Sequence, residues 1–397
     1  MRFNHLQPFA LESGAVLPGY HLEYTTRGKL NGTGDNVIWI FHALTANSDP
    51  AEWWPGLVGE GRLFDPSVHF VVCVNMPGSC YGSIGPLDRD PGSDEPYYHD
   101  FPFFTPRDMI RAYQPLRKFL GIRRIHIGIG GSMGGQQLLE WAIEEPELFY
   151  CIVPIATNGR HSPWGIAFNT AQRMAIEADG TWQQRRADAG LAGMAAARAM
   201  ALLSYRHYEA YEILQPRPDD YLSESGPGLT GESQSGEQTD DAENAAAAGT
   251  GVRNGAASYQ RYQGEKLVRR FNAFSYYTLS LSMDSHDVGR GRGGLGEALQ
   301  KVRARALVIS IETDILFPKP EQQLLASSIP GAGYQLIDSL YGHDGFLLEF
   351  AQIEALIREF IQEATGVQDG SADRTGTDDG SPDRKDPSHL TTLINHP

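Results

Sequence analysis

The sequence predicts an α/β fold in which a mostly parallel, doubly wound sheet carries an inserted helical lid. Three observations predict it. Short, continuously apolar runs recur along the chain, and helix-forming stretches lie between them. One long stretch, 159–295, has helical periodicity but no strand-like run. Strands that alternate with helices are typical of sheets built with right-handed crossovers.

Five apolar runs are predicted to be the buried strands. They cover residues 37–41, 70–74, 125–129, 151–155 and 307–311. Their apolar character is continuous rather than alternating, which indicates strands covered on both faces. Helices are predicted over 107–120, 134–143 and about 346–364, and the lid holds further periodic segments around 195–208 and 257–283.

The predicted domain organisation has a core in two parts, 1–158 and 296–365, with the lid 159–295 between them. Two segments do not fit a packed fold. The stretch 217–256 has eight acidic residues against two arginines, and 366–397 has six against three basic residues. Both are rich in small polar residues, so they cannot offset the entropy lost on ordering. We therefore predict a disordered acidic insertion and a disordered tail.

Charge and composition exclude several partner classes. The chain of 397 residues has a formal net charge of −16, which disfavours nucleic acid and anionic membranes as partners. No apolar run approaches the roughly 18 residues of a membrane helix, and the N-terminus lacks the apolar core of a secretory signal. The three cysteines fit a reducing compartment. A cytoplasmic protein is predicted.

The motif that carries chemistry is Gly130-Gly131-Ser132-Met133-Gly134. It matches G-x-S-x-G, and a predicted strand precedes it while a predicted helix follows. In that setting the tight turn requires glycines on either side and lifts the serine hydroxyl above the carboxyl edge of the sheet. The helix N-terminus favours negative charge there. Ser132 is the predicted nucleophile.

An acid and a histidine follow the serine in the chain order of an α/β-hydrolase triad. Asp314 comes just after the strand at 307–311, with Glu312 as a nearby competitor. His343 lies between glycine-containing turns near the end of the chain, and imidazole is suited to general-base work near neutral pH. No Cys/His spacing indicates a metal, so neither a metal nor a bound cofactor is predicted.

Two backbone amides are predicted to form the oxyanion hole. One is the N–H of Met133, directly after the serine. The other is the N–H of Leu44, in the loop after the strand 37–41. His42 lies in the same loop, and we assign it no chemistry.

Further motifs accompany the serine turn. They are His42-Ala43-Leu44-Thr45, the segment 78–86, Phe101-Pro102 with Arg107-Asp108-Met109, Tyr262 to Lys266 with Arg269-Arg270-Phe271, and Tyr341-Gly342-His343-Asp344. With the Gly-Gly-Ser-Met-Gly-Gly core they span about residues 36–350. Together they resemble the homoserine O-acetyltransferase family of α/β-hydrolase-fold acyltransferases.

The resemblance implies acetyl transfer from acetyl-CoA, a co-substrate, to the hydroxyl of L-homoserine in methionine biosynthesis. It also implies an acyl-serine intermediate and a homodimer formed through the lid. By position, Asp344 would bind the amino group of homoserine. Arg198 would bind its carboxylate, a task that suits a planar guanidinium, and Arg206 is the nearest rival.

Some residues depart from the family pattern and leave specificity open. They are Ser79, Ile84, Gln136, Asn272 and Phe274. Succinyl-CoA as donor or L-serine as acceptor would use the same machinery. A carboxylesterase would share the triad without needing an amino-acid clamp, and a non-catalytic binding protein of this fold normally lacks a triad member.

Overall fold

The computed structural model describes residues 1–215 and 255–365. The predicted disordered tail lies outside the described residues. The predicted insertion does too, apart from residues 255 and 256, which begin a helix. In the described ranges no helix is long and apolar enough to cross a membrane.

Eight strands form one sheet, in the order β1-β4-β6-β5-β7-β8-β9-β10. The pairs from β6 through β10 are parallel, whereas β1 with β4 and β4 with β6 are antiparallel. β2 and β3 form a separate hairpin. The strand bounds are β1 (Arg2–His5), β2 (Phe9–Ala10), β3 (Val16–Leu17), β4 (Tyr20–Arg27), β5 (Val37–Phe41), β6 (Phe70–Val74), β7 (Ile125–Gly131), β8 (Phe149–Ile155), β9 (Arg305–Ile311) and β10 (Gly333–Ile337).

The central strands are buried on both faces, as their continuous apolar character predicts. Every residue of β5 and β6 is buried. In β5, Trp39 packs on one side of the sheet, in a cluster with Tyr113 and Trp141. Ile38 and Ile40 face the other side. Two apolar layers therefore cover the sheet, and the doubly wound prediction is confirmed.

Helices cover both faces, and those from α4 to α8 lie consecutively between β8 and β9. Their sequence range falls within the predicted lid. The helix bounds are α1 (Pro50–Trp53), α2 (Pro106–Phe119), α3 (Met133–Glu144), α4 (Pro163–Glu177), α5 (Leu191–Tyr205), α6 (Tyr208–Leu214), α7 (Gly255–Val268), α8 (Ala273–Asp284), α9 (Leu295–Leu299), α10 (Lys319–Ser328) and α11 (Phe350–Thr365).

The antiparallel edge and β10 were not among the predicted strands. Along β4, buried and half-buried residues alternate, as expected where one face packs and the other meets solvent. A search for continuously apolar runs misses such a strand. β10 is the strand at the opposite edge of the sheet and is partly exposed, with only Ile337 fully buried.

The last predicted helix begins later than the sequence indicated. A 3-10 turn covers Gly342–Leu347, and α11 starts only at Phe350. Gly342 has a φ of +62°, a conformation that favours glycine. The turn therefore interrupts the apolar periodicity and keeps His343 and Asp344 in a short loop.

Candidate active site

Ser132 alone forms the turn between β7 and α3. Its φ is +56° and its ψ is −127°, a conformation that a non-glycine residue adopts only at a cost. The neighbouring glycines are required by close packing. A Cβ on Gly134 would lie 2.1 Å from the Phe41 carbonyl oxygen, and one on Gly130 would lie 2.6 Å from the backbone of Gly134.

The backbone of Ser132 is held on both sides while its hydroxyl is left free. Its N–H donates to the Ile155 carbonyl at 3.0 Å, and the Thr157 hydroxyl donates to the Ser132 carbonyl at 2.8 Å. Within the described ranges, Ser132 Oγ makes no hydrogen bond. The first turn of α3 lies directly behind it, so the helix N-terminus stabilises negative charge at this oxygen.

Asp314 and His343 are in direct contact. His343 Nδ1 lies 2.7 Å from Asp314 Oδ2, and both residues are buried. The other carboxylate oxygen accepts hydrogen bonds from the N–H groups of Leu316 at 2.8 Å and Phe317 at 2.9 Å. The carboxylate is thus fixed by the chain that follows β9. Because it holds Nδ1, the imidazole can present Nε2 to another group.

Aromatic rings fix the plane of the His343 imidazole. The Phe317 ring stacks on it with centroids 5.0 Å apart, and the rings of Phe346 and Tyr205 contact it at 5.4 and 5.8 Å. Phe346 also packs against the strand before the serine, because a Cβ on Gly131 would lie 2.4 Å from its ring. One phenylalanine therefore touches both the serine turn and the histidine.

The three sequence-predicted triad residues follow β7, β9 and β10, which run parallel in one sheet. Their side chains thus lie at the same edge. The structure brings Asp314 and His343 together, and Phe346, which contacts His343, also lies against Gly131, the residue before Ser132. This arrangement can activate a hydroxyl for attack on an ester or thioester carbonyl.

The two predicted oxyanion donors lie in segments that touch. Met133 is the first residue of α3, so its N–H has no carbonyl partner in its own helix. Leu44 lies in the loop that follows β5. That loop packs on the serine turn, since a Cβ on Gly134 would meet the carbonyl oxygens of both Phe41 and His42.

Arg198 lies on α5 and is buried without a counter-ion. Only 8% of its surface is exposed, and in the described part of the chain it forms no ion pair or hydrogen bond. Its guanidinium lies over the Tyr205 ring, 5.5 Å from the centroid. The same ring contacts His343. A buried, unpaired cation therefore lies one aromatic ring from the histidine and can bind an anion.

The two alternative residues that the sequence left open, Glu312 and Arg206, already have ion-pair partners. Glu312, the competitor of Asp314, lies at the surface and pairs with Lys319. Arg206, the rival of Arg198, forms an ion pair with Asp344, with Nε 2.9 Å from Oδ2. The Asp344 carboxylate is consequently flanked by a cation before any substrate binds.

Three of the residues that depart from the family pattern make identifiable packing or hydrogen-bond contacts. Asn272 caps α8 by accepting from the Ser275 N–H at 2.8 Å, a role in which Asn and Asp are nearly equivalent. Phe274 packs on the Trp182 ring at 4.9 Å. Gln136 donates to Asn158 Oδ1 at 3.0 Å behind the serine turn. In the described ranges, no group of three or more His, Cys, Asp or Glu could hold a metal ion.

Sequence reasoning missed three contributors to the site. Phe346 and Tyr205 contact the histidine ring, and His42 bonds to the backbone of Ala43, in the loop after β5, and of Met76, after β6. Aromatic residues are too common for their position in the sequence to have indicated the first two. The sequence did offer a signal for His42, because this residue directly follows β5 in the loop that holds Leu44.

Comparison with known proteins identifies the family. Residues 36–350 match the family model described as alpha/beta hydrolase fold. A homoserine O-acetyltransferase of Cyclobacterium marinum is 44% identical over 360 residues, which cover 91% of this chain and 94% of that protein.

Solved structures show the same fold. The homoserine O-acetyltransferase from Bacillus anthracis aligns with a TM-score of 0.78 at 23% identity and covers 91% of this chain and 97% of its own. Esterase E22 aligns with a TM-score of 0.76 at 20% identity and covers 91% and 100%. The fold is therefore shared by transferases and esterases, whereas the sequence match is to transferases. The chain belongs to the α/β-hydrolase fold family and, within it, to the homoserine O-acetyltransferases.

Proposed function

We propose that the protein transfers an acetyl group from acetyl-CoA to the hydroxyl of L-homoserine, giving O-acetyl-L-homoserine and CoA for methionine biosynthesis. The observation that carries the proposal is the buried Asp314–His343 pair at the sheet edge where Ser132 stands with a free hydroxyl. Relatives named homoserine O-acetyltransferase over nine-tenths of the chain support the choice of reaction.

In the first half-reaction His343 Nε2 takes the Ser132 proton, and the serine oxygen attacks the thioester carbonyl. Asp314 holds Nδ1 and stabilises the imidazolium that forms. The N–H groups of Leu44 and Met133 bind the tetrahedral oxyanion. Collapse of that intermediate breaks the carbon–sulfur bond, and the imidazolium proton leaves with CoA as its thiol.

In the second half-reaction the acceptor hydroxyl replaces CoA. His343 takes the proton of that hydroxyl, whose oxygen attacks the acetyl-serine, and Ser132 regains its proton when the ester product leaves. Arg198 binds the acceptor carboxylate because it is buried and has no counter-ion among residues 1–215 and 255–365. Asp344 binds the acceptor ammonium through the oxygen that Arg206 leaves open. Transfer outcompetes water because this clamp positions the acceptor.

The acyl-enzyme is tested directly by intact-protein mass spectrometry. After exposure to acetyl-CoA without acceptor, we expect one acetyl group on Ser132, and its removal on addition of homoserine. Ser132→Ala should carry none and should lose several orders of magnitude in turnover. A wild-type protein that stays unmodified during rapid turnover would refute the two-step scheme.

A donor-by-acceptor matrix tests the substrates. CoA release is followed with acetyl- or succinyl-CoA against homoserine or serine. The proposal expects the highest kcat/KM for acetyl-CoA with homoserine. A higher value for succinyl-CoA or for serine would replace one substrate and keep the mechanism. Hydrolysis of p-nitrophenyl acetate that no acceptor stimulates would instead favour a carboxylesterase.

We further propose a homodimer formed through the lid. The lid is the segment 159–295, which includes α4 to α8 and is inserted into a core made of 1–158 and 296–365. Exposed apolar side chains on α5, α6 and α7 support it: Met200, Leu203, Tyr208, Ile213 and Tyr262. Light scattering at micromolar concentration should give twice the chain mass. Leu203→Asp should shift the protein to the monomer, and a wild-type monomer would contradict the proposal.

A cytoplasmic location is part of the same proposal. All three cysteines are free, which fits a reducing compartment, and acyl-CoA donors act there. Cell fractionation with an antibody to the chain checks the location, and recovery in a membrane or secreted fraction would contradict it.

A further inference from the structure

His42 is almost completely buried, with 1% of its surface exposed, and both ring nitrogens are bonded to backbone. The Met76 N–H donates to Nε2 at 3.0 Å. Nδ1 lies 2.8 Å from the Ala43 carbonyl oxygen. An amide N–H can only donate and a carbonyl can only accept, so Nδ1 carries the proton. Burial lowers the pKa of His42 to about 4, and the ring is neutral at neutral pH.

The bond to Ala43 determines where the next amide points. In a trans peptide the C=O and the following N–H lie in one plane and point in opposite directions. The Ala43 carbonyl is directed toward the His42 ring. The N–H of Leu44, in the same peptide, is therefore directed away from that ring.

The loop that holds Leu44 also lies against the serine turn. The carbonyl oxygens of Phe41 and His42 contact Gly134, two residues after Ser132. We propose that His42 is a positioning residue for the oxyanion: its Nδ1–H holds the Ala43–Leu44 peptide so that the Leu44 N–H faces the Ser132 turn. The inference rests on the proposed function, in which Leu44 supplies one of the two donors.

A second buried contact joins the two halves of the oxyanion site. Gln137, on α3, donates to Met76 Sδ at 3.0 Å and to the Met133 carbonyl at 3.3 Å. Its own carbonyl accepts from the Tyr113 hydroxyl at 2.8 Å. Met76 thus contacts His42 through its N–H and Gln137 through its sulfur. Met76 therefore links His42, which bonds the Ala43 carbonyl, to Gln137, which bonds the Met133 carbonyl.

Because both nitrogens are occupied, His42 has no proton to exchange with substrate. Its effect must pass through the Ala43 peptide, so the two ring nitrogens have unequal importance for catalysis. This inequality distinguishes positioning from a merely structural role, in which losing either bond would matter alike.

Two matched variants separate the bonds. In His42→Asn the side-chain amide can take the place of Nδ1–H and donate to Ala43, while the Met76 bond is lost. In His42→Gln the side-chain oxygen can take the place of Nε2 and accept from Met76, while the Ala43 bond is lost. Each variant is of similar size and removes one hydrogen bond.

We expect His42→Gln to lose about 10²-fold in the rate of acetyl-enzyme formation, the loss typical of one missing oxyanion donor. His42→Asn should stay within about tenfold of the wild type, and neither should change the KM for homoserine. Binding of trifluoroacetonyl-CoA, whose ketone forms an oxyanion on the serine, should weaken in parallel with the rate. Equal losses in the two variants, or a fully active His42→Gln, would overturn the proposal.

The wild-type protein provides a test that does not depend on folding of a variant. The ¹⁵N shifts of the His42 ring at neutral pH should show a protonated Nδ1 and an unprotonated Nε2. The opposite tautomer would overturn the proposal, because Nδ1 could then not donate to Ala43.

Failure of this inference is distinct from failure of the proposed function. If the wild type forms no acetyl-Ser132, the proposed mechanism is wrong whatever His42 does. If it forms acetyl-Ser132 and His42→Gln forms it equally fast, only the role of His42 is wrong.

Discussion

The backbone of Ser132 is strained at the residue whose hydroxyl is the predicted nucleophile. Its φ of +56° is a conformation that serine rarely adopts, and it persists because Ile155 and Thr157 bond the backbone on both sides. Local preference and global fold disagree at this residue. Such disagreements are expected at functional sites, where packing elsewhere offsets the cost.

The Asp314–His343 contact predicts a specific loss of activity. In Asp314→Asn, the side-chain oxygen can still accept from Leu316 and Phe317, so the turn after β9 should keep its shape. The amide in place of Oδ2 would favour the wrong imidazole tautomer. We expect kcat to fall by about 10⁴-fold, with a melting temperature close to that of the wild type. A folded variant with less than a tenfold loss would exclude Asp314 from catalysis.

Arg198 and Arg206 are predicted to have different effects on the acceptor. Arg198→Lys removes the planar fork for a carboxylate. Its KM for homoserine should rise about 10- to 100-fold, the loss expected for charge-assisted hydrogen bonds, while acetyl-enzyme formation is unchanged. Arg206→Lys is the matched control, since it keeps a cation beside Asp344. If Arg206→Lys raises the KM more than Arg198→Lys does, the carboxylate binder is Arg206.

At the scale of elements, the site depends on how closely β5, β7 and α3 approach one another. The first turn of α3 packs on the end of β5 at the backbone of Gly134, where no side chain fits. This approach brings the loop after β5 to the helix N-terminus. The two amide donors therefore depend on the contact between a strand and a helix that are far apart in the sequence.

Adding one methyl group at that contact should disrupt the site. In Gly134→Ala, the Cβ would lie 2.1 Å from the rigid Phe41 carbonyl oxygen, so helix and strand must separate. We expect a loss of at least about 1–3 kcal/mol in the free energy of unfolding, measured by urea denaturation, and loss of acetyl-enzyme formation.

The matched control is Gly180→Ala, where an added Cβ has no heavy atom within 4 Å. Its free energy of unfolding should change by less than about 0.5 kcal/mol, as is usual for such surface changes. A Gly134→Ala protein as stable and active as this control would show that the contact is not needed.

For the whole molecule, several buried histidines make stability depend on pH. Burial lowers the pKa of His42 to about 4 and those of His161 and His286 to about 3. In the unfolded chain each titrates near its ordinary value of about 6.5. Below that pH the unfolded state binds more protons than the folded state. The free energy of unfolding therefore carries no penalty from these histidines above about pH 6.5. It decreases as the pH falls from there toward their folded-state pKa values.

The Glu144 carboxylate contributes to the pH dependence of stability at a lower pH than the histidines do. Burial raises the pKa of Glu144, but hydrogen bonds from Arg292 and Arg111 outweigh it, and the pKa lies below its usual value. That stabilisation is present above the unfolded pKa of the carboxylate and is lost only at more acid pH. The contribution of Glu144 is thus separable from that of the histidines.

We expect the free energy of unfolding to fall between about pH 6.5 and pH 5 by about 1.4 kcal/mol per pH unit for each such histidine. His286→Gln isolates one of them, because its amide can still donate to the Asn158 carbonyl as His286 Nε2 does at 3.0 Å. Urea denaturation across this range should show that the free energy of unfolding of the variant depends less steeply on pH, by the amount that corresponds to one bound proton. An unchanged slope would show that His286 is not responsible.

Local patterns were sufficient to predict the core of the fold, whereas the roles of Ser132, Asp314 and His343 in the reaction stay predictions. The strands that became β5, β6 and β7 are continuously apolar, and the serine turn stands between a strand and a helix, a setting that its neighbouring glycines indicate. The half-exposed β4 and β10 lack that pattern. Their pairing partners, not their composition, make them strands.

Short-range patterns are enough to predict the central strands and their helices, the Gly-Gly-Ser-Met-Gly turn and the chain order of serine, acid and histidine, because each can be read from short stretches of the chain. Long-range packing pairs Arg206 with Asp344, leaves Arg198 without an ion pair among the described residues, and brings Met76 to His42, whose other ring nitrogen holds Ala43. Apart from the His42–Ala43 bond, these contacts join segments distant in sequence. Their geometry depends on how the lid and the loops pack on the sheet, which no local pattern encodes.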